Sequence, residues 1–180
     1  MQSAYREFHS VETALLRVKS DIALALDKKQ MAVLILLDLS AAFDTLKHSV
    51  LLSRLESRFG VKGEALKWIK SYLSDREQFV KIGHHASKPR PLETGVPQGS
   101  VLGPILFTLY MAPLADIIAR HGINSLFYVD DSQLYTFSNH RMALVRFALP
   151  WKRVLDVKHF MNRTFLRLNQ DKNRNYCVWL

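Results

Sequence analysis

The chain has 180 residues, the size of a single domain with one core. Its 48 % hydrophobic and 23 % charged residues exclude a disordered polymer. Lysine and arginine total 25 against 16 acidic residues, a formal net charge of +9 that makes a polyanion the natural partner.

The start, Met1 to Arg6, lacks the basic-then-apolar pattern of a signal peptide, so an intracellular protein is expected, nuclear or cytoplasmic and not secreted. Val11, Leu15, Val18, Ile22 and Leu26 recur at steps of three and four and predict a helix with one apolar stripe. Met31 to Leu37 is an unbroken apolar run, which reads as a fully buried strand ending at Asp38. Leu51, Leu55 and Phe59 before Gly60, then Leu66, Ile69 and Leu73, predict two packing helices.

Glu77 to Ile82 turns at Gly83 and His84 toward Ser87 to Leu92, a hairpin decorated by Arg76 and Lys81. His84 and His85 read as loop residues, since neighbours in a turn do not easily face one ion. The loop Gly95 to Ser100 can bring backbone close to a ligand, and Pro104 opens a helix carrying Leu106, Leu109 and Tyr110. Val101 to Ala115, broken by Gly103, Pro104 and Pro113, reads as a buried helix rather than a span, so no membrane is expected.

Leu126 to Val129 and Gln133 to Phe137 are strand-like runs with Asp130 and Asp131 near the turn between them. Aspartate is also an ordinary turn residue. Residues 141–180 hold nine basic and two acidic side chains, so phosphate contact is expected first from this tail, against the alternative of a solvated helix face. Cys177 is the only cysteine, which excludes an internal disulfide and leaves packing as its default role.

Nucleotidyl transfer builds negative charge on an attacking hydroxyl and on a departing pyrophosphate, and a pair of divalent ions stabilises both. Magnesium takes oxygen ligands and keeps several waters, so one or two carboxylates per ion suffice. Asp38 at a strand end and Asp130 with Asp131 on a neighbouring hairpin would supply them if the strands are adjacent.

Three ordered segments carry a resemblance. Leu37-Asp38-Leu39-Ser40-Ala41-Ala42-Phe43-Asp44, Gly95-Val96-Pro97-Gln98-Gly99-Ser100-Val101-Leu102-Gly103-Pro104 and Tyr128-Val129-Asp130-Asp131 closely resemble successive motifs of non-long-terminal-repeat (LINE-type) retrotransposon reverse transcriptases. The likeness extends from Gln2-Ser3-Ala4-Tyr5-Arg6 through Trp68-Ile69-Lys70-Ser71-Tyr72-Leu73 to Leu168-Asn169-Gln170-Asp171-Lys172.

The resemblance implies an α+β reverse transcriptase palm, a small and mainly antiparallel sheet with packed helices, plus part of the fingers. It implies one partial domain over 1–180: a fingers remnant at 1–30, palm core motifs at 31–140 and a basic palm segment at 141–180, with thumb and endonuclease absent. Asp38, Asp130 and Asp131 would hold two Mg2+ ions, for which Mn2+ could substitute, and the Leu39 carbonyl would be a further ligand. Phe43 would sit beneath the sugar of the incoming nucleotide and clash with a 2′-hydroxyl. Gln98, beside Gly99, would lie against the nucleotide, and Lys172 would protonate the leaving group. Expected partners are an RNA template, a DNA primer and deoxynucleoside triphosphates, with Arg76 and Lys81 as candidates for the backbone grip. Oligomeric state is left open.

The chain departs from the pattern at Asn173-Arg174, where the family has Thr-Glu after the lysine, and at Lys47-His48, where it often has Asp-His. Pro150 interrupts a region expected to be helical. Two functions follow: an RNA-directed DNA polymerase, or a non-catalytic nucleic-acid-binding remnant of one.

Overall fold

Seven apolar residues in a row, Met31–Leu37, form the strand β1 at the heart of a computed structural model that describes residues 3–97, 99–139, 151–169 and 174–178. The chain divides into two units, residues 1–42 with 111–180, and residues 43–110.

In the first unit a four-stranded antiparallel sheet runs in the order β10 (Arg174–Val178), β1, β8 (Asp131–Ser138), β7 (Asn124–Tyr128). Strand β1 is central, paired from Met31↔Ser138 to Leu37↔Ser132 on one side and from Ala32↔Val178 to Leu36↔Arg174 on the other. Its burial is less complete than an unbroken apolar run suggests. Only Ala32 and Val33 are fully buried, and the other five positions are half-buried. Two paired flanks satisfy the backbone of β1, while full cover on both faces is a separate demand.

Helix α1 (Val11–Asp27) lies against one face of that sheet. Ser10 starts it with reciprocal hydrogen bonds: the Thr13 amide donates to Ser10 Oγ at 3.2 Å and the Ser10 amide to Thr13 Oγ1 at 2.8 Å. The expected stripe holds at Val18 and Ile22 and fails at its start. Val11 and Leu15 are about half exposed, and Ala14, Val18 and Ala25 are the buried residues. Small Ala14 lets the helix approach the sheet closely, so Ala14 and Val18 meet Leu126 and Tyr135, with Ile22, Leu34, Tyr128 and Phe137 around them. Val33, Phe127, Ser132, Leu134 and Thr136, on the opposite pleat, are buried as well.

Further along, β2 (Leu39–Ser40) pairs with β9 (Arg167–Leu168) after helix α5 (Trp151–Arg163), which buries Val157, Phe160 and Met161. Pro150 lies outside the described residues, and α5 begins directly after it. Strand β10 has no clear alternation of its own, and its place is set by pairing with β1.

The second unit holds α2 (His48–Ser57), α3 (Gly63–Leu73) and a hairpin made of β3 (Glu77–Gln78), β4 (Lys81–Ile82), β5 (His85–Ala86) and β6 (Arg90–Pro91). Leu51, Leu55 and Leu73 are buried as their spacing predicts, whereas Phe59 falls beyond the end of α2 and is 38 % exposed. Helix α4 (Leu102–Arg120) continues past Pro113, longer than expected, and contributes its first half to this unit and its second to the other. Length and composition alone would let it cross a membrane. Its buried residues Leu106, Phe107, Tyr110, Met111, Leu114 and Ile118 form the stripe of a core helix.

The Arg54 guanidinium lies over the Tyr110 ring at 4.5 Å from its centroid and donates to the Tyr110 carbonyl. Burial lowers the Arg54 pKa and raises that of the Tyr110 hydroxyl.

One polar link joins α1 to the sheet. Tyr135 donates its hydroxyl to Asp21 Oδ2 at 2.6 Å, and burial first, then this carboxylate, push the phenol pKa up to about 12. The unfolded phenol titrates near 10. Between pH 10 and 12 the unfolded chain therefore releases a proton that the folded chain keeps, and the stability present below pH 10 is lost. We predict that the wild type loses about 1–2 kcal/mol more stability across this window than Tyr135→Phe. Urea melts at pH 9.5, 11 and 12 measure the difference, and parallel curves for the two proteins would contradict it.

Candidate active site

The β1–β8 ladder ends at Leu37↔Ser132, and the next residue on each strand is an aspartate, Asp38 on one and Asp131 on the other. These carboxylates leave the sheet from adjacent strand ends. Asp131 also closes the β7–β8 hairpin opposite Tyr128, so the loop contains just Val129 and Asp130. Val129 has φ +60°, the left-handed value required at the first position of a tight II′-type turn. A β-branched residue there is strained by roughly 1–3 kcal/mol. The turn holds Asp130 beside the strand end that carries Asp131. Asp38 and Asp130 are half-buried and Asp131 is exposed.

A second segment fixes Asp38. The Asn169 side-chain amide donates to Asp38 Oδ2 at 3.0 Å, and the Asn169 backbone amide donates to the Asp38 carbonyl at 2.9 Å. Asn169 follows β9, whose pairing with Leu39 and Ser40 sets its position. Leu39 is 5 % exposed and paired with Leu168. Sequence reasoning passed over Asn169 because a two-residue strand pair carries no periodicity. The one local signal was a short polar stop after an amphipathic helix.

The donor chemistry suits a hard divalent cation: carboxylates at adjacent strand ends, a third carboxylate one residue away and a neighbouring backbone carbonyl. Among the described residues, no three His, Cys, Asp or Glu side chains stand close enough to form a preassembled metal cluster.

Phe43 and Gly99 belong to the other unit. The Phe43 ring is half-buried, with its centroid 5.0 Å from that of Phe107. Its carbonyl accepts from the Val96 amide at 3.1 Å, and the Leu46 carbonyl accepts from the Gly95 amide at 2.7 Å. His48 Nε2 lies 2.7 Å from the Gly95 carbonyl, which can only accept, so this nitrogen carries the proton. The histidine of the Lys47-His48 departure thus ties the glycine loop to residues 43–48. Gly99 is exposed at φ +77° with open space around it.

Arg76 is partly engaged by the end of the preceding helix α3: Nε donates to the Tyr72 carbonyl at 2.7 Å and the guanidinium covers the Tyr72 ring at 4.9 Å. Lys81 stands exposed on β4. Gln98 and Lys172 lie outside the described residues.

Comparison with known proteins bears on this arrangement. Residues 1–177 match the family described as reverse transcriptase (RNA-dependent DNA polymerase). The chain is 31 % identical over 184 residues to the probable RNA-directed DNA polymerase from transposon BS of Drosophila melanogaster, covering 99 % of this chain and 20 % of that protein. It is 30 % identical over 148 residues to the polymerase from mobile element jockey of the same species, covering 79 % of this chain and 16 % of that one. The chain thus spans about a fifth of the length of these relatives.

Among solved structures, telomerase from Candida albicans, in complex with a TWJ fragment of telomeric RNA, superposes with TM-score 0.68 at 15 % identity over 98 % of this chain and 31 % of that one. Apo telomerase from Candida tropicalis gives TM-score 0.68 at 15 % identity over 97 % and 33 %. These likenesses show the fold, an α+β reverse transcriptase palm, as expected from the sequence.

The glycine loop yields a stability prediction. A Cβ on Gly95, at φ +86°, would stand 3.1 Å from Asp44 Cα and 3.3 Å from the Phe43 carbonyl oxygen, whereas one on Gly99 would meet nothing within 4 Å. Gly99→Ala is expected to cost about 1 kcal/mol, from its left-handed backbone alone. Gly95→Ala should cost at least about 1 kcal/mol more, because backbone must move as well. Denaturant midpoints of the two variants test this, and equal costs would contradict the close approach.

Proposed function

The chain belongs to the reverse transcriptase (RNA-dependent DNA polymerase) family, and from that membership we propose that it carries the acidic centre of a LINE-type RNA-directed DNA polymerase. The observation that supports this most is register. The Leu37↔Ser132 pair delivers Asp38 and Asp131 to neighbouring strand ends, one residue from the turn that holds Asp130.

Two Mg2+ ions, or Mn2+ in their place, would be held by Asp38, Asp130, Asp131 and the Leu39 carbonyl. When bound, they supply charge stabilisation for a primer 3′-hydroxyl attacking a deoxynucleoside triphosphate and for the departing pyrophosphate. The chain's own residues orient these groups. Asn169 holds the Asp38 carboxylate by one oxygen, which narrows its rotamer choice and leaves little to reorganise on binding. The tight turn at Val129 does the same for Asp130.

Phe43 is proposed as the residue under the nucleotide sugar, where its ring excludes a 2′-hydroxyl. Its packing on Phe107 supports a ring held in one place. Gln98 beside Gly99 is proposed to contact the nucleotide, and Lys172 to protonate the leaving group. RNA template and DNA primer would be held through sugars and phosphates, with Arg76 and Lys81 among the contacts, inside the nucleus or cytoplasm. A second reading, a nucleic-acid-binding relative without catalysis, draws support from the +9 charge and from the lack of a preassembled metal cluster among the described residues.

The test is magnesium- or manganese-dependent incorporation of deoxynucleotides on a primed RNA. Asp130→Asn should abolish it, and Asn169→Ala should lower it about 10- to 100-fold while leaving RNA binding intact. A folded wild type that incorporates nothing, yet binds RNA in a salt-sensitive way unchanged by Asp130→Asn, would overturn the polymerase reading in favour of the second.

A further inference from the structure

The hairpin of the second unit exposes side chains that a protein normally buries. Phe79 is 57 % exposed, Val80 64 % and Ile82 76 %. Between Arg76 and Pro91 the chain carries four basic side chains and one acidic, a net charge of +3. Hydrophobic exposure on a positively charged arm calls for a partner that is negatively charged and also has an apolar face.

The ladder contains an irregularity at the aromatic residue. At the base, Glu77 faces Pro91 and Gln78 faces Arg90. At the tip, Lys81 faces Ala86 and Ile82 faces His85, and the Ser87 amide donates to the Val80 carbonyl at 2.8 Å. The register therefore slips by one, and Lys88 and Pro89 together oppose Phe79. This is a bulge, placed where Pro89 has no amide to give the ladder. A bulge bends the strand and re-aims its side chains. Side chains alternate along the tip, so Phe79 and Lys81 share a face with Ala86 and, next along, Lys88. Phe79 and Lys88, with Gln78, Val80, Ser87 and Arg90, line an open groove of about 540 Å3.

We propose that this face is a stacking platform for single-stranded nucleic acid, in which a base lies on the Phe79 ring while Lys81 and Lys88 meet the flanking phosphates. A ring flanked by cations is the arrangement that binds unpaired strands with little sequence preference, because every base offers a π face and every nucleotide a charge. The platform rests on the reading of the chain as a template-copying polymerase for the strand it would meet, but its binding does not require catalysis.

The experiment measures anisotropy of a fluorescein-labelled 12-nucleotide oligouridine with the full chain, from 50 to 200 mM salt, alongside primer extension by the same samples. Phe79→Ala should weaken binding about 5- to 150-fold with the salt slope unchanged, and Phe79→Tyr, which keeps the ring, should bind like the wild type. Lys81→Gln with Lys88→Gln should lower the salt slope by about 0.7 per lysine. Wild-type affinity in Phe79→Ala would overturn the platform, all the more if that variant instead lost self-association in sedimentation, which would make the hairpin a protein-docking edge. Primer extension with ring-independent binding defeats the platform alone. Ring-dependent binding without extension supports the platform and counts against the polymerase reading.

Discussion

The pairing of β1 with β8 is the constraint on which the first unit depends. Side chains on a strand alternate between faces, so a slip of one residue would send Leu34 and Tyr135 away from α1 and part Asp38 from Asp131 in the same step. The two consequences are linked, because the contact of α1 with Leu126 and Tyr135 rewards the register that sets Asp38 and Asp131 at neighbouring strand ends.

The second unit solves a different problem, that of holding a glycine-rich loop in one shape without regular structure. Its backbone amides find carbonyls at Phe43 and Leu46, its Gly95 carbonyl finds the His48 ring, and Tyr110 takes the Lys47 amide at 3.4 Å. Gly95 tolerates both the left-handed backbone and the near contact with Asp44, a combination that no residue with a Cβ meets without strain. The loop is built from the same stretch that holds Phe43. A segment with a proposed nucleotide contact and a segment with a proposed sugar contact are therefore positioned by one set of hydrogen bonds.

Much of this was legible before any coordinates. The apolar run before Asp38, the paired aspartates between two strand-like runs and the glycine pair around Gln98 each announced local structure, and their order identified the family. Strand β10 was not legible, because its five residues have no periodicity and acquire meaning only from β1. In α1 the apolar stripe holds at Val18 and Ile22, whereas Val11 and Leu15 stay half exposed. Periodicity marks every apolar position alike, whereas close approach to a sheet favours small Ala14 over larger Leu15. Asn169 escaped for a related reason: its role is a single hydrogen bond to a residue 131 positions away in the chain. Local rules find elements, and long-range partners appear only once the elements are placed.

The central proposition is that carboxylates brought together by the ladder share bound cations. Titration of Mn2+ into the folded chain, followed by electron paramagnetic resonance for the wild type, Asp38→Asn, Asp130→Asn and the double variant, addresses it most directly. Shared ions require coupling: each single substitution should weaken binding, and the double variant should be much less impaired than the sum of the two. Additive losses, or Mn2+ affinity untouched by Asp38→Asn, would mean that these side chains act separately, and the account of the site would fail.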